Sequence, residues 1–268
     1  KDVIVFRVGP TPIFGFKVKD GNNDRYKTYA AASSLSQFDS LLPEKDDYNP
    51  DEDPKDRIGF EVHLKKGLKL ARKHEQEFQV HVDQMNLASE RGTERLVEAF
   101  KWFKQPKVKG SKGLPTVWAI HVISPSAYTE ERFNALVENL LRYNIGVIVC
   151  PSAGLSMRCI TSVVSPTHNS LARVLELAYA GVPIRLGTDN IADVFVPPAD
   201  GDMLTEVKMG AQALRLNSPA IWAKLACGVP LNNVDKSIIR EILDENYRAA
   251  RRQDPDFVGA VELLNQSA

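Results

Sequence analysis

Residues 117–150, VWAIHVISPSAYTEERFNALVENLLRYNIGVIVC, decide the fold. Val117 to Val122 is an apolar, β-branched run of strand length, and Gly146 to Cys150 is a second. Their bulk falls on consecutive rather than alternate residues, the pattern of strands covered on both faces in a parallel sheet. Thr129 to Tyr143 between them predicts a helix. Thr129 is placed to cap it, Glu130 and Glu131 stand where the helix dipole favours acid, and Gly146 closes it. Phe133, Leu136, Val137, Leu140 and Leu141 have the spacing of one buried helix face.

Outward from this unit the pattern repeats. Strand-length runs occur at Val3 to Val8, Gln37 to Leu42, Phe78 to Val82 and Val182 to Leu186. Helical patterns occupy Asp56 to Lys73, Thr93 to Lys104 (apolar at Leu96, Val97, Phe100 and Phe103) and Ser170 to Ala180, the last stopped by Gly181 and Pro183. Strand and helix in alternation give an open doubly wound sheet or a (β/α) barrel. Nucleotide-binding open sheets rely on a Gly-rich first turn, whereas barrel enzymes gather polar residues at the C-terminal ends of several strands. No G-x-G-x-x-G or Walker sequence follows any strand here.

Composition narrows the function. The chain has 268 residues, 43% of them hydrophobic, enough for a core without disulfide or metal staples. Its 34 Lys and Arg balance 34 Asp and Glu. That balance speaks against a dedicated nucleic-acid or anionic-membrane surface and favours a small-molecule partner. No apolar run has the roughly 18 residues of a membrane span. Cys150, Cys159 and Cys227 lack framework spacing and read as thiols in a reducing cytoplasm. The acidic stretches 20–24 and 44–54 read as exposed loops, the second placed to help roof a site. From Leu231 onward a charged helical tail reads as an outer helix, giving an expected division into a domain over 1–230 and an extension over 231–268 packed upon it. Trp102, Trp118 and Trp222 are expected in the core.

Three strands end in residues that can bind metal: Gln79-Val80-His81-Val82-Asp83-Gln84, Ala119-Ile120-His121-Val122 and Arg185-Leu186-Gly187-Thr188-Asp189-Asn190. In a parallel barrel the strand C-termini converge, so His81, His121 and Asp189 are expected in one pocket despite their separation in sequence. Two imidazoles and a carboxylate suit Zn²⁺ or Fe²⁺, which lowers the pKa of bound water to about 7. His63 and His74, on the helix before His81, read as structural, as does His168 in a loop. Asp193 reads equally as a brace of the site or as an N-cap or turn residue, and Met157 with Arg158 as lining or covering the mouth.

The order His-Val-Asp-Gln, a histidine on the next strand, then Gly187-Thr188-Asp189-Asn190-Ile191-Ala192-Asp193-Val194-Phe195-Val196-Pro197 resembles the amidohydrolase superfamily, in its cytosine deaminase and isopropylammelide hydrolase branch. The resemblance extends to about Leu216. It implies a (β/α)8 TIM-type barrel, incomplete in this chain, with strands three to eight present. It further implies His81 as the metal ligand of the barrel's fifth strand and His121 as the histidine of the sixth. Asp189 is then the eighth-strand aspartate that touches metal and shuttles the proton. Cys150-Pro151-Ser152 closes the seventh strand, and Pro43 to Asp47 follow the fourth.

Two departures shape the expected chemistry. The family's His-x-His pair on its first strand is absent from this sequence. Lys1 falls just ahead of what would be the third strand, so the natural start is expected upstream, or another polypeptide is expected to complete the barrel. Gln84 stands where the deaminases carry a glutamate, and an amide cannot titrate. Asn190 stands where cytosine deaminases place a second aspartate. The expectation is a cytoplasmic hydrolase of a C–N bond in a small cyclic amide, ureide or aminated heterocycle, with one divalent ion. Asp189 and His121 are its catalytic residues, Gln84 and Asn190 its substrate contacts. A catalytically incomplete ligand-binding relative or subunit is the alternative. An open nucleotide-binding sheet is a third reading, with only the alternation in its favour. Partners are expected to be a small molecule and a second copy or completing chain, with no nucleic acid and no membrane.

Overall fold

The computed structural model describes residues 60–84, 86–156, 170–192 and 197–253, together with the strand segments 5–6, 18–19 and 26–27. The elements in chain order are β1 (Val5–Phe6), β2 (Val18–Lys19), β3 (Tyr26–Lys27), α1 (Phe60–Lys73), β4 (Phe78–Val82), α2 (Gly92–Ala99), β5 (Val117–His121), α3 (Glu130–Arg142), β6 (Ile145–Val149), α4 (Pro151–Leu155), α5 (Val174–Ala180), β7 (Ile184–Leu186), α6 (Met203–Leu214), α7 (Pro219–Cys227) and α8 (Asn233–Gln253). A parallel sheet in the order β1-β4-β5-β6-β7 is the centre, and β2 and β3 form a separate antiparallel pair. β1 lies directly against β4, with Val5 opposite Gln79. Residues 37–42, where an intervening strand is expected, lie outside the described residues.

The unit from Val117 to Cys150 forms as its sequence predicts except at the end of α3, where Tyr143 caps the helix and Asn144 turns the chain at φ 48°, while Gly146, expected to close the helix, lies within β6. Thr129 caps α3, its hydroxyl accepting from the Arg132 N–H at 3.4 Å. Phe133, Leu136, Val137 and Leu140 are buried, while Leu141 stays exposed on the edge of the stripe. β5 and β6 are buried along their whole length. Val117, Ala119, Val147 and Val149 face the helices, packed with Leu64, Leu68, Leu96, Leu136 and Leu140 in the main core. Trp118, Ile120, Ile148, Cys150 and Ala153 form a smaller cluster. Both sides of the sheet are therefore covered, which accounts for the unbroken apolar runs. Gly146 pairs with Trp118 across β5 and β6, and a Cβ there would stand 2.3 Å from the indole. The absence of a side chain at 146 is what lets that ring lie flat on the neighbouring strand.

Other elements differ at their ends. α2 stops at Ala99 rather than reaching Lys104. Phe100 turns inward and Trp102 is 85% exposed, contrary to its expected place in the core; Trp118 and Trp222 are buried. The physical reason is the stripe itself: Leu96, Val97 and Phe100 claim the buried face, and Trp102 follows the helix in a turn off that line. α5 starts at Val174, four residues later than expected, because Arg173 is held in a non-helical conformation. Its guanidinium pairs with Glu130 of α3 at 2.8 Å and lies over the Phe133 ring. Gly181 ends α5 in the left-handed region at φ 98°, where glycine carries no Cβ penalty.

The tail helix α8 packs on α5 through Ile239 and Leu243, which are buried. Its start is reciprocally capped: the Asp235 N–H donates to Asn232 Oδ1 at 3.0 Å, and the Asn232 N–H donates to Asp235 Oδ2 at 2.8 Å. Lys224 Nζ, 2.6 Å from the same carboxylate, holds Asp235 below the usual carboxylate range. Among the described residues, no helix is long and apolar enough to cross a membrane.

Candidate metal centre

His81 lies near the end of β4, His121 ends β5, and Asp189 follows β7 by three residues. Because the strands are parallel, all three stand at one end of the sheet. His81 Nδ1 and His121 Nε2 are 3.0 Å apart and hydrogen-bonded, one nitrogen donating and the other accepting. Asp189 Oδ2 is 3.7 Å from the same His121 Nε2. One donor atom from each residue lies within 4.8 Å of the others. His81 and His121 are 4% and 1% exposed, and the Asp189 side chain is 5% exposed, so the group is screened from bulk water.

Backbone geometry brings these side chains together. Regular alternation along β5 would put His121 on the face of Val117 and Ala119, in the main core. His121 and Val122 instead adopt φ of 77° and 53°, left-handed values costly for a β-branched residue. The turn carries the imidazole to His81 and returns Val122 to the core beside Ala119. Asp83 and Asp189, at φ 54° and 57°, turn the ends of the flanking strands likewise. Four left-handed residues thus stand where the donors meet.

The donor set fits a divalent cation. Tetrahedral zinc with ligand bonds of 2.0–2.1 Å needs donors about 3.3 Å apart; two of the three separations here are 3.0 and 3.7 Å, and the third lies within 4.8 Å. Gln84 and Asn190 are buried in the loops that directly follow Asp83 and Asp189. His74 is exposed just beyond α1, away from the group. The His63 side chain, and His168, Asp193, Met157 and Arg158, lie outside the described residues.

Three buried carboxylates near the site, Asp83, Glu90 and Glu206, carry no role in the sequence reading. Asp83, fully buried, accepts from the Gly92 N–H at 2.6 Å and the Thr93 N–H at 2.8 Å, and so caps α2 from nine residues away. Burial pushes its carboxyl up, against the pull of those donors. Its carbonyl accepts from the Ile123 and Ser124 N–H groups, tying the end of β4 to the chain beyond β5. Glu90 is also fully buried and accepts from the Ser124 hydroxyl. Its carbonyl accepts from Tyr128 and Arg132, whose guanidinium also grips Glu94 at 2.7 Å. Burial works to raise Glu94, but Arg132 and Arg91 hold it below the usual carboxylate range.

On the other side of the site, Glu206 of α6 accepts from the Ser152 hydroxyl and from the Ser152 N–H at 2.9 Å. Burial pushes Glu206 up, and the negative charge of Asp189 adds to the push. The signals for these residues are weak because the partners are distant in sequence. Only the His-Val-Asp-Gln run, which places Asp83 beside a candidate ligand, could have drawn attention to any of them.

No protein-family model and no curated protein matches the sequence. Among solved structures, the chain is similar to 5-methylcytosine deaminase from Klebsiella pneumoniae liganded with 5-fluorocytosine. The TM-score is 0.52 at 18% identity over 72% of this chain and 44% of that one. The same enzyme liganded with phosphonocytosine gives 0.51 at 18% identity over 70% and 44%. N-isopropylammelide isopropylaminohydrolase from Burkholderia multivorans gives 0.45 at 13% identity over 66% and 39%. The chain thus spans less than half the length of these structures. The likeness to the deaminase, at 18% identity, is one of fold: parallel strands alternating with helices, with a His81, His121 and Asp189 group that could hold a metal ion at the strand ends.

Proposed function

We propose that this chain is part of an incomplete (β/α)8 barrel of amidohydrolase type, contributing the parallel strands whose ends carry the His81 group. Its activity is hydrolysis of a C–N bond in a small cyclic amide, ureide or aminated heterocycle. The observation that carries the reading is the convergence of His81, His121 and Asp189 donor atoms within 4.8 Å at one end of a parallel sheet. A divalent ion held by the three, zinc or iron by the chemistry of the donors, supplies acidified water at neutral pH.

The chain's own groups divide the remaining work. Asp189, a carboxylate 3.7 Å from His121, accepts a proton from the attacking water and delivers it to the leaving nitrogen. His121, its Nε2 turned to His81 and Asp189, holds the donor group together. Gln84 and Asn190 each offer a donor and an acceptor, complementary to the alternating N–H and C=O edge of a cyclic amide or ureide. Gln84 cannot relay protons, which favours substrates whose hydrolysis needs only the Asp189 carboxylate.

Gln84 also favours a second reading, a relative that binds such a heterocycle without turning it over. The two part on one experiment: metal-loaded protein is presented with cyclic ureides and aminopyrimidines while ring opening and ammonia release are followed. Hydrolysis of a ureide, lost by about 10²-fold or more in Asp189→Asn, is expected. Turnover retained in that variant excludes the proton-transfer role, and saturable binding without turnover favours the second reading. Gln84→Glu is expected to introduce or raise deamination of an aminopyrimidine.

A further inference from the structure

The end of the sheet opposite the His81 group carries a second feature. Between α2 and β5 the chain reads Lys101-Trp102-Phe103-Lys104-Gln105-Pro106-Lys107-Val108-Lys109-Gly110-Ser111-Lys112, five lysines with no acidic residue from Ala99 to Thr129. All five are exposed, and among the described residues none is in an ion pair. Trp102 stands among them at 85% exposure, the most exposed of the large apolar side chains described. α1 ends at the same end of the sheet and adds exposed Lys69, Arg72 and Lys73 against exposed Glu75, with Leu70 at 40% exposure, while Glu77 is taken up by Arg185. The balanced total charge of the chain conceals this local excess.

The segment is held in place. Gln105 donates to the Tyr143 carbonyl and, at 2.8 Å, to that of Asn144, and accepts from the Thr116 hydroxyl at 2.8 Å. Asn144 Nδ2 donates to the Gly113 carbonyl at 3.1 Å. The loop is thus fastened to the α3–β6 turn, and Trp102 is presented rather than merely left over.

We propose that this end of the molecule docks on an anionic phospholipid surface, with Trp102 at the headgroup level and the lysines over the charge. The composition distinguishes a bilayer from nucleic acid. The loop has one exposed aromatic, Trp102, its neighbour Phe103 being half-buried against the core, whereas strand binding uses successive stacking platforms. Its cations are all lysines, point charges suited to a diffuse field rather than the forked contacts arginine makes with phosphates. Indole and lysine are both side chains with an apolar body and a polar tip, which match a bilayer interface. Each lysine near an anionic bilayer strengthens partitioning by about fivefold. The proposal does not depend on the chemistry at His81.

The test is co-sedimentation of the chain with vesicles of phosphatidylglycerol mixed with phosphatidylcholine, against phosphatidylcholine alone, at low and physiological salt. Trp118 and Trp222 are each 2% exposed, so a blue shift of the red-emitting indole reports on Trp102, and Trp102→Phe should remove it. Binding to the anionic vesicles only, weakened by salt and by more than about 100-fold in Lys104→Glu/Lys107→Glu/Lys109→Glu, is expected. The variant should keep the circular dichroism and Co²⁺ binding of the parent. Absence of vesicle binding, binding indifferent to the charge reversal, or binding to a single-stranded oligonucleotide but not to vesicles overturns the proposal.

Discussion

Asp83→Asn is the substitution whose outcome the structure constrains most tightly. The carboxylate is fully buried and each oxygen receives one backbone N–H, from Gly92 at 2.6 Å and from Thr93 at 2.8 Å. Asparagine keeps the shape and tolerates the left-handed φ of 54°, so backbone strain stays the same. It offers one oxygen and turns an NH₂ group on the second donor. A buried N–H left without an acceptor costs about 1–3 kcal/mol, and removing the charge from the start of α2 costs about 0.3–1 kcal/mol more. Against this, a buried carboxylate is itself costly, as its raised pKa indicates, and the amide is not. The net expectation is a loss of about 2 kcal/mol, or a Tm lowered by roughly 4–8 °C for a domain of this size. Thermal and urea unfolding followed by circular dichroism measure it. Co²⁺ affinity should hold within about tenfold, because the Asp83 carbonyl still ties β4 to Ile123 and Ser124. An unchanged Tm together with lost Co²⁺ binding would refute the reasoning and make Asp83 a ligand rather than a cap.

Two further substitutions probe the packing and the charge around the site. Gly146→Ala puts a methyl 2.3–2.9 Å from the Trp118 ring, which is buried and covered by the Arg185 guanidinium at 3.9 Å. The expected cost is about 1–3 kcal/mol in urea unfolding, relieved when Trp118→Leu is added; no loss in the single variant contradicts the contact. Glu206 has a folded pKa above its unfolded value, so its contribution favours folding at acid pH and is lost as pH rises through the folded pKa. Glu206→Gln should therefore flatten the decline of stability between acid and neutral pH, and parallel curves for variant and parent would count against it.

Legibility varied with the range of the interactions. Thr129, Gly181 and the Phe133 to Leu140 stripe act within a few residues of themselves, and each does in the structure what its spacing predicts. The three donors were readable because strand ends in a parallel sheet converge whatever lies between them. What the sequence did not reveal is how His121 reaches His81, since alternation alone points it into the core; only two left-handed residues redirect it. Asp83 capping Gly92, and Glu206 holding Ser152, join positions that no local rule links. Trp102 was misplaced for a related reason: an aromatic is usually buried for its area, but here the helix ends before the ring can be turned inward.

The central claim is that His81, His121 and Asp189 jointly hold one metal ion. Titration of the metal-free chain with Co²⁺, read by visible absorption and by metal analysis after gel filtration, tests it without reference to any substrate. The account predicts one ion per chain, with affinity rising with pH because the ligands must be deprotonated. His81→Ala, His121→Ala and Asp189→Ala should each weaken binding by about 100-fold or more. Unchanged stoichiometry and spectrum in the triple variant would contradict it.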